Sequence, residues 1–344
     1  MRKCSAGLVT GLLLLTLGIK AQTSAIDKIK FFEDDKILNA TLVTNFNKML
    51  NAKMKDGDSM ASSLTFRFND TSAMTEKIFV EMRGNFRRKT CLIPPMRLNF
   101  KNDKSSKYAS LGSLKLVSPC RQGDQYNQYI LVEYLIYKMY NLFTDKSFRV
   151  RLLDLTYKDS IGKKKDFKQN AFLIEDSKDM AKRNKMSEWK VQKVVTEQTD
   201  RDHMTMVAVF EYMIGNTDWS VPVRHNIRLL YQKETQKAFP YAVPYDFDYC
   251  GLVNAEYAIP NEMFNLENIQ QRLYRGYPRT MEELTKTLDI FREKKEKIYA
   301  LITDCKLLNK STRYEVIKYL DSFYDIINSP KEVKSVFITN ARND

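Results

Sequence analysis

The sequence contains only two histidines, His203 and His225, and five cysteines in 344 residues. Neither histidine has the serine or cysteine context of a nucleophilic triad, which argues against hydrolysis through a histidine base. The cysteines form no C-x-x-C pair and have no histidine positioned near them, which argues against a zinc site. Chemistry that depends on soft metal ligands is therefore not predicted.

Long apolar runs and glycine-rich phosphate loops are also missing. After residue 21, no segment approaches the roughly 20 apolar residues that a membrane helix requires. The chain contains neither a G-x-G-x-x-G sequence nor a Walker loop. We therefore expect no transmembrane anchor, and any phosphate site must be built in another way.

The first 21 residues have the order of a secretory signal peptide. Arg2 and Lys3 precede the apolar run AGLVTGLLLLTLGI, and KAQ follows it. Because this run is short for a membrane span, we expect cleavage after Ala21 and a secreted or periplasmic mature protein. Cys4 lies before the apolar run, so we expect no lipid attachment at the cleavage point.

The chain has a strong excess of positive charge. Loss of residues 1–21 removes three cations, Arg2, Lys3 and Lys20, and no acid, so the formal charge falls from +14 to +11. Such a charge favours acidic partners, among them nucleotides, phosphorylated substrates, nucleic acids and anionic surfaces. The alternative is a soluble protein whose lysines and arginines are spread over its surface. The tyrosines and phenylalanines occur at core spacing, so we do not expect a nucleic-acid binder.

Sequence patterns predict three parts after the signal peptide. They are a helical N-terminal preamble (22–60), a β-rich lobe (61–200) and an α-rich lobe (201–344). Alternating apolar and polar residues predict strands in the β-rich part, two of them joined as a hairpin at residues 69–72. The predicted strands are SLTFRFND, EKIFVEMRGNF, PMRLNF, LGSLKLVSP, FRVRLLDLTYKD and KQNAFLIEDS. Helical spacing in YNQYILVEYLIYKMYNLF predicts a helix before the last two strands.

The α-rich part begins with the predicted helix DHMTMVAVFEYMI, which ends at Gly215, where glycine relieves left-handed strain. Two short strands, NIRLLY and YAVPYDFDY, follow it. Two long helices close the chain, and capping boxes of Thr280 with Glu283 and of Thr312 with Glu315 are expected to open them.

The four cysteines beyond residue 21 leave their redox state open. Cys91 and Cys120 flank the strands of one predicted sheet, so they can form a disulfide in an oxidising compartment. Buried free thiols are the alternative for these two and for Cys250 and Cys305.

The clearest chemical pattern lies in GNTDWSVPVRHN and PYDFDYCG. Asp218 and Asn226 follow a helix, and Asp246 and Asp248 end the second strand of a short hairpin, which returns them to the same loop. An all-oxygen set of this kind suits magnesium, manganese or calcium, and magnesium often completes its shell with water and phosphate. Each residue alone also fits a turn cap or a solvated side chain. The set in this order favours a phosphoryl-transfer site.

These stretches resemble the spore coat protein H (CotH) kinase-like family. The resemblance runs from about Phe66 to Gly251 and lies in VEMRGNFRR leading to MRLNF, in LKLVSP, EYMIGNTDW and HNIRLL, and in PYDFDYCG. It implies a protein-kinase-like, two-lobed α+β architecture, with an antiparallel β-rich N-terminal lobe and a mainly α-helical C-terminal lobe. It also implies a secreted kinase that uses ATP and a divalent metal to phosphorylate hydroxyl groups of a protein acceptor.

The resemblance also assigns roles. It makes Asp218 the catalytic-loop acid, and it makes Asn226 and Asp246 metal ligands with Asp248 as their neighbour. The family spacing N-x-D-W-x-x-x-N is tighter, since SVPVRH lengthens the loop here. Either the insertion bulges outward with Pro222 at its tip, or the metal site is altered. The second outcome would give a catalytically inactive envelope or surface binding protein.

A kinase also needs a cation on the phosphates. Lys115 precedes Glu133 by 18 residues, a separation that allows a strand lysine to pair with a helix glutamate. We predict that Lys115 and Glu133 join Asp218 as catalytic residues. We also predict that Lys115, Arg83 and Arg97 contact the nucleotide. Arg83, Arg87 and Arg97 are the rivals of Lys115 for the cation on the phosphates. The simpler interpretation of Lys115 is an exposed strand lysine.

Overall fold

The computed structural model describes residues 26–51, 58–84, 87, 90–100, 106–190, 194–232 and 239–343. The predicted signal peptide, residues 1–21, lies outside the described residues. Within these ranges, no helix has the length and apolar character needed to cross a membrane.

Seven strands form a closed barrel in the order β1-β2-β3-β4-β5-β7-β6. All neighbouring strands are antiparallel except β1 and β6, which run parallel and close the ring. The strands are β1 (Leu38–Thr44), β2 (Ser59–Arg67), β3 (Ala73–Met82), β4 (Met96–Asn99), β5 (Ser113–Val117), β6 (Val150–Asp159) and β7 (Phe167–Ile174).

The closed barrel shows that the predicted two-lobed, protein-kinase-like architecture is wrong. The segment predicted as a helical preamble supplies β1, whose side chains alternate between buried and more exposed positions. β1 pairs with β2 along one edge and with β6 along the other, so the sheet has no open edge there. The chain is a mixed α+β protein built around a barrel.

The other barrel strands confirm the alternating sequence patterns. The β2–β3 hairpin turns at the predicted residues, where the Asn69 side chain accepts hydrogen bonds from the backbone N–H groups of Thr71 and Ser72. Apolar residues that alternate along these strands, including Leu64, Val80 and Leu98, belong to one buried cluster shared by the barrel strands. Period-two burial is the physical reason these segments are strands.

Helices cover part of the barrel and form a second buried cluster. They are α1 (Lys28–Glu33), α2 (Phe46–Asn51), α3 (Asp124–Asn141), α4 (Ser177–Arg183), α5 (Arg201–Ile214), α6 (Met281–Thr303), α7 (Lys310–Asn328) and α8 (Pro330–Lys334). In α3, the rings of Tyr134 and Tyr137 pack on Phe172 of β7. A small sheet in the order β10-β9-β8 completes this part. Its strands are β8 (Ser187–Glu188), β9 (Ile227–Tyr231) and β10 (Tyr241–Pro244).

The helix ends follow local side-chain chemistry. Gly215 has φ of 66° and caps α5 in the left-handed conformation, as predicted. The capping box of Thr280 and Glu283 opens α6, also as predicted. The predicted box at Thr312 is wrong, because α7 begins three residues earlier, where the Asn309 side chain accepts a 2.8 Å hydrogen bond from the Thr312 N–H.

A disulfide joins Cys91 to Cys120, with 4.5 Å between their Cα atoms. It ties the segment between β3 and β4 to the chain just after β5, and the N–H of Ile93 donates to the Cys120 carbonyl at 3.2 Å. Cys250 and Cys305 are free thiols.

Candidate phosphoryl-transfer site

The buried side-chain amide of Asn216 holds the loop after α5 in place. Asn216 follows the glycine cap and is 1% exposed. Its side-chain N–H donates to Glu211 at 2.9 Å, and its side-chain oxygen accepts the Asp218 N–H at 2.9 Å. Burial raises the pKa of Glu211 to about 8. The buried pair of Glu211 and Asn216 therefore fixes the backbone from which the Asp218 carboxylate projects.

The inserted segment between Asp218 and Asn226 folds into a turn of its own. Ser220 and His225 exchange two backbone hydrogen bonds, of 2.9 and 3.0 Å. Pro222 is exposed, and the neighbouring valine at 223 is 75% exposed, so the insertion projects outward. Of the two outcomes that the longer loop allowed, the structure shows the outward bulge.

The turn returns Asn226 to Asp218. The Asn226 side-chain N–H group donates to the Asp218 carbonyl oxygen at 2.8 Å and to its carboxylate Oδ2 at 3.0 Å. Nε2 of His225 lies 2.8 Å from the other carboxylate oxygen, Oδ1. Asn226 has φ of 51°, a left-handed conformation that asparagine tolerates better than most residues. The histidine was not predicted as part of the site.

The β9–β10 hairpin brings the two later acids to the same place. The Asn226 carbonyl accepts the Tyr245 N–H at 3.0 Å, and the Gly251 N–H donates to Gly215 at 3.0 Å. Asp246 follows at φ of 68°, and its N–H donates to the Tyr137 hydroxyl at 2.9 Å. The chain on both sides of the acids is therefore tied back to the loop after α5.

All four predicted loop residues, Asp218, Asn226, Asp246 and Asp248, line one cavity of about 530 Å³. The barrel contributes Arg83 and Arg87 to the same cavity. It lies between the ends of barrel strands β3 to β5 and the loops after α5 and β10. A cavity of this volume is in the usual range for small-molecule ligands.

Arg87 is the cation that pairs with an acid in this cavity. Its guanidinium lies 3.3 Å from Asp248 Oδ2 and donates to the Ser118 carbonyl at 2.7 Å. The Tyr257 hydroxyl donates to the same Asp248 oxygen at 3.2 Å. Burial raises the pKa of Asp248 to about 6, and Asp246 adds to the rise while Arg87 opposes it. Tyr257 gives no recognisable motif in the sequence and was missed.

Glu133 faces this cluster from α3, but it does not pair with Lys115. Both Glu133 carboxylate oxygens are buried and have no hydrogen-bond partner. Burial, followed by the nearby charges of Asp248 and Asp246, raises the pKa of Glu133 well above its usual range. The predicted pair of Lys115 and Glu133 is therefore absent from this structure.

The predicted phosphate-binding cations are divided between two cavities. Arg83 lines the large cavity, whereas Lys115 and Arg97 line a separate cleft of about 150 Å³. The Lys115 ammonium lies 4.4 Å from the centre of the Tyr245 ring. Lys115 is half-buried, not the exposed strand lysine of the simpler interpretation.

The side chains of the large cavity that could hold a metal are the oxygen donors Asp218, Asn226, Asp246 and Asp248. Among the described residues, no group of three or more histidine, cysteine, aspartate or glutamate side chains is arranged to hold a metal. The amide oxygen of Asn226 falls outside that count. No described side chain donates to the Asp246 carboxylate. Burial raises the pKa of Asp248, and the charges of Asp246 and Asp218 add to the rise, so a cation would relieve the repulsion between these acids. Magnesium and manganese prefer such oxygen ligands.

Comparison with known proteins leaves the family open. No family model matches the sequence, and no curated protein matches it. The resemblance to the CotH kinase-like family stays a prediction that depends on the quoted sequence stretches.

Proposed function

We propose that this protein is a metal-dependent phosphotransferase, similar in its site residues to the CotH kinase-like family, that moves a phosphoryl group from ATP to a hydroxyl of a protein acceptor. The observation that carries the proposal is the hydrogen-bonded pair of Asp218 and Asn226, which shares one cavity with Asp246 and Asp248. The proposal depends on these side chains and not on a kinase-like fold.

The reaction assigns a role to each group. The acceptor oxygen bonds to the γ-phosphorus, the bond from that phosphorus to the β,γ-bridging oxygen breaks, and ADP leaves. The hydroxyl proton passes to the Asp218 carboxylate, whose side chain is 42% exposed and so within reach of a large acceptor. Asp246 and Asn226 would hold a divalent ion, which supplies positive charge to the phosphates. Arg83, which lines the cavity from the barrel side, would contact the phosphates.

The proposed location is outside the cytoplasm. The predicted signal peptide supports export, and the Cys91–Cys120 disulfide is typical of an oxidising compartment. Because ATP is scarce there, tests of the donor compare ATP with other nucleoside triphosphates.

A binding protein without catalysis is the second candidate. One observation favours it, because both carboxylate oxygens of Asp218 already have partners, Asn226 and His225. A carboxylate engaged in this way is a poorer proton acceptor unless the substrate displaces one partner. The two candidates agree on nucleotide binding and differ on transfer.

The first experiment is a thermal shift with ATP alone and with ATP plus magnesium or manganese, on the wild type and on Asp246→Asn. Asparagine keeps the shape and tolerates the positive φ of residue 246, so the variant removes mainly charge. At a ligand concentration of 100 times Kd, stabilisation of about 2.7 kcal/mol is expected. The metal-dependent part should vanish in Asp246→Asn and persist in Asp70→Ala, which changes an exposed turn acid. No shift with any nucleotide and metal would contradict both candidates.

Transfer is tested next with Asp218→Asn. In the phosphotransferase, this variant keeps metal-dependent ATP binding and loses phosphate incorporation into acceptor protein by a factor of roughly a hundred or more. If the wild type binds ATP with metal but transfers nothing to water or protein, the binding-protein candidate is the correct one.

A further inference from the structure

The cleft of about 150 Å³ beside the large cavity is lined by cations from three strands. Arg97 of β4 and Lys115 of β5 are direct cross-strand partners. Arg228 of β9 reaches the same cleft from the small sheet, and the hydroxyl-bearing residues Ser113 and Ser177 also line it. This arrangement brings the barrel strands β4 and β5 and the β9–β10 hairpin together around one positive pocket.

One aromatic ring fixes two of these cations. The Lys115 ammonium lies 4.4 Å and the Arg228 guanidinium 4.8 Å from the centre of the Tyr245 ring. Cation–π attraction of this kind holds the charges in place without neutralising them. Tyr245 immediately precedes Asp246, so the cleft and the acids of the large cavity are neighbours along the chain.

These cations have no acidic partner among the described residues. Arg97, Lys115 and Arg228 make no ion pair with any described carboxylate, and neither does the nearby Arg83. Elsewhere in the described chain, the buried arginines Arg151 and Arg279 pair with acids.

The two acids that line the cleft are already engaged. Glu175 binds Arg183 at 2.9 Å and accepts the Arg149 N–H at 3.1 Å. Asp176 caps α4 by accepting the Lys178 N–H at 2.9 Å. The net character of the cleft is therefore positive.

The repulsion between these cations is visible at Lys115. Burial, together with the charges of Arg83, Arg228 and Arg97, lowers the pKa of Lys115 to about 7, and Asp246 opposes this effect. An anion in the cleft would offset this repulsion and return the lysine to its charged form. Repulsion that the protein leaves uncompensated is a feature expected of an anion-binding site.

We propose that Arg97, Lys115 and Arg228 form a binding site for a phosphate group. The cleft, at about 150 Å³, is smaller than the roughly 300–1,000 Å³ of pockets that bind drug-sized ligands, so its size suits a small anion such as one phosphate. Arginine pairs with phosphate oxygens through two parallel hydrogen bonds, and lysine adds a point charge. The phosphate comes either from the tail of a bound nucleotide or from a separate phosphate, free or on a protein. The site does not depend on the proposed phosphotransferase activity.

Calorimetric titration with inorganic phosphate, in the absence of metal and nucleotide, tests the proposal. Wild type should show saturable binding, and Arg228→Met and Arg97→Met should each weaken it at least tenfold. Arg97 is exposed, so its replacement carries little risk to folding. Arg67→Met is the matched control, because Arg67 is an exposed strand arginine outside the cleft. Absence of saturable binding by the wild type, or equal weakening by the control, would overturn the proposal.

A competition arm identifies the source of the phosphate. Displacement of inorganic phosphate by ATP with magnesium assigns the cleft to the nucleotide tail, whereas simultaneous binding of both assigns it to a separate phosphate. If phosphate binding is intact while ATP never stabilises the protein, the phosphotransferase fails and the phosphate site stands, so the two failures are distinguishable.

Discussion

The side-chain amide of Asn226 donates two hydrogen bonds to Asp218, one to the backbone carbonyl at 2.8 Å and one to the carboxylate at 3.0 Å. Of the seven residues between them, the last six form an outward turn closed by Ser220 and His225. An insertion can therefore lengthen this loop without separating the acid from the amide. The consequence is that loop length alone does not decide whether the site is intact.

Replacing Asn226 tests this relationship through stability. Asn226→Ala removes both hydrogen bonds and places alanine at a φ of 51°, and we expect a loss of about 2–3 kcal/mol in the free energy of unfolding. Asn265 has the same φ of 51° but is exposed, so Asn265→Ala should cost only about 1 kcal/mol. Urea unfolding measures both losses. Equal losses would show that the contacts to Asp218 contribute nothing to stability.

The ion pair of Arg87 and Asp248 predicts strong coupling between two substitutions. Arg87→Met leaves Asp248 and the buried Glu133 without the cation that compensates them, and we expect a loss of about 3–5 kcal/mol at neutral pH. Asp248→Asn removes one of the repelling charges and should cost less. The double variant should lose about 1–3 kcal/mol less free energy of unfolding than the sum of the two single losses. Additive losses in denaturant unfolding would argue against the pair.

The disulfide predicts a redox-dependent stability. Cys91 and Cys120 are 29 residues apart, and a closed loop of this length stabilises a fold by about 3–4 kcal/mol in the chain-entropy view. The double variant Cys91→Ser with Cys120→Ser should unfold at a correspondingly lower urea concentration and should not respond to reductant. Cys305→Ser, which changes a free thiol, should stay within about 0.5 kcal/mol of wild type. A wild type insensitive to reductant would contradict the bond.

Sequence patterns predicted the parts of the fold that depend on local periodicity. The alternation around Leu64 and Val80 predicted the first hairpin, and Gly215 marked the end of α5. β1 was missed because its seven residues lie between helical segments, and its pairing with the distant β6 leaves no local signal. That pairing changed the architecture from an open sheet to a barrel.

In the candidate site, too, the features set by local sequence were predicted and those set by long-range packing were not. Asp218, Asn226, Asp246 and Asp248 were predicted to meet, because a short hairpin necessarily returns the chain to its starting point. Glu133, the predicted partner of Lys115, is not paired with it in this structure, since sequence separation does not tell which side of a helix faces a strand. Arg228 and the supporting Glu211 were missed because nothing in their neighbourhood in the sequence distinguishes them.

His203 predicts how stability depends on pH. Its Nε2 lies 2.8 Å from the Ala242 carbonyl, which can only accept, so the ring N–H donates this bond. Burial lowers the pKa of His203 to about 4, from 6.5 for an unperturbed histidine, and Lys146 adds to the effect. Because the folded pKa is the lower one, this contribution to stability is full above about pH 6.5 and is lost as the pH falls to about 4.

The expected loss over this range is on the order of 2–3 kcal/mol. His203→Gln keeps an N–H donor for Ala242 and does not titrate, so its free energy of unfolding should fall less steeply between pH 6.5 and pH 4. Acids with raised pKa, such as Asp248, act in the opposite direction in both proteins, so the difference between the two curves isolates the histidine. Urea unfolding at four pH values across the range measures it, and parallel curves would show that His203 is not the group responsible.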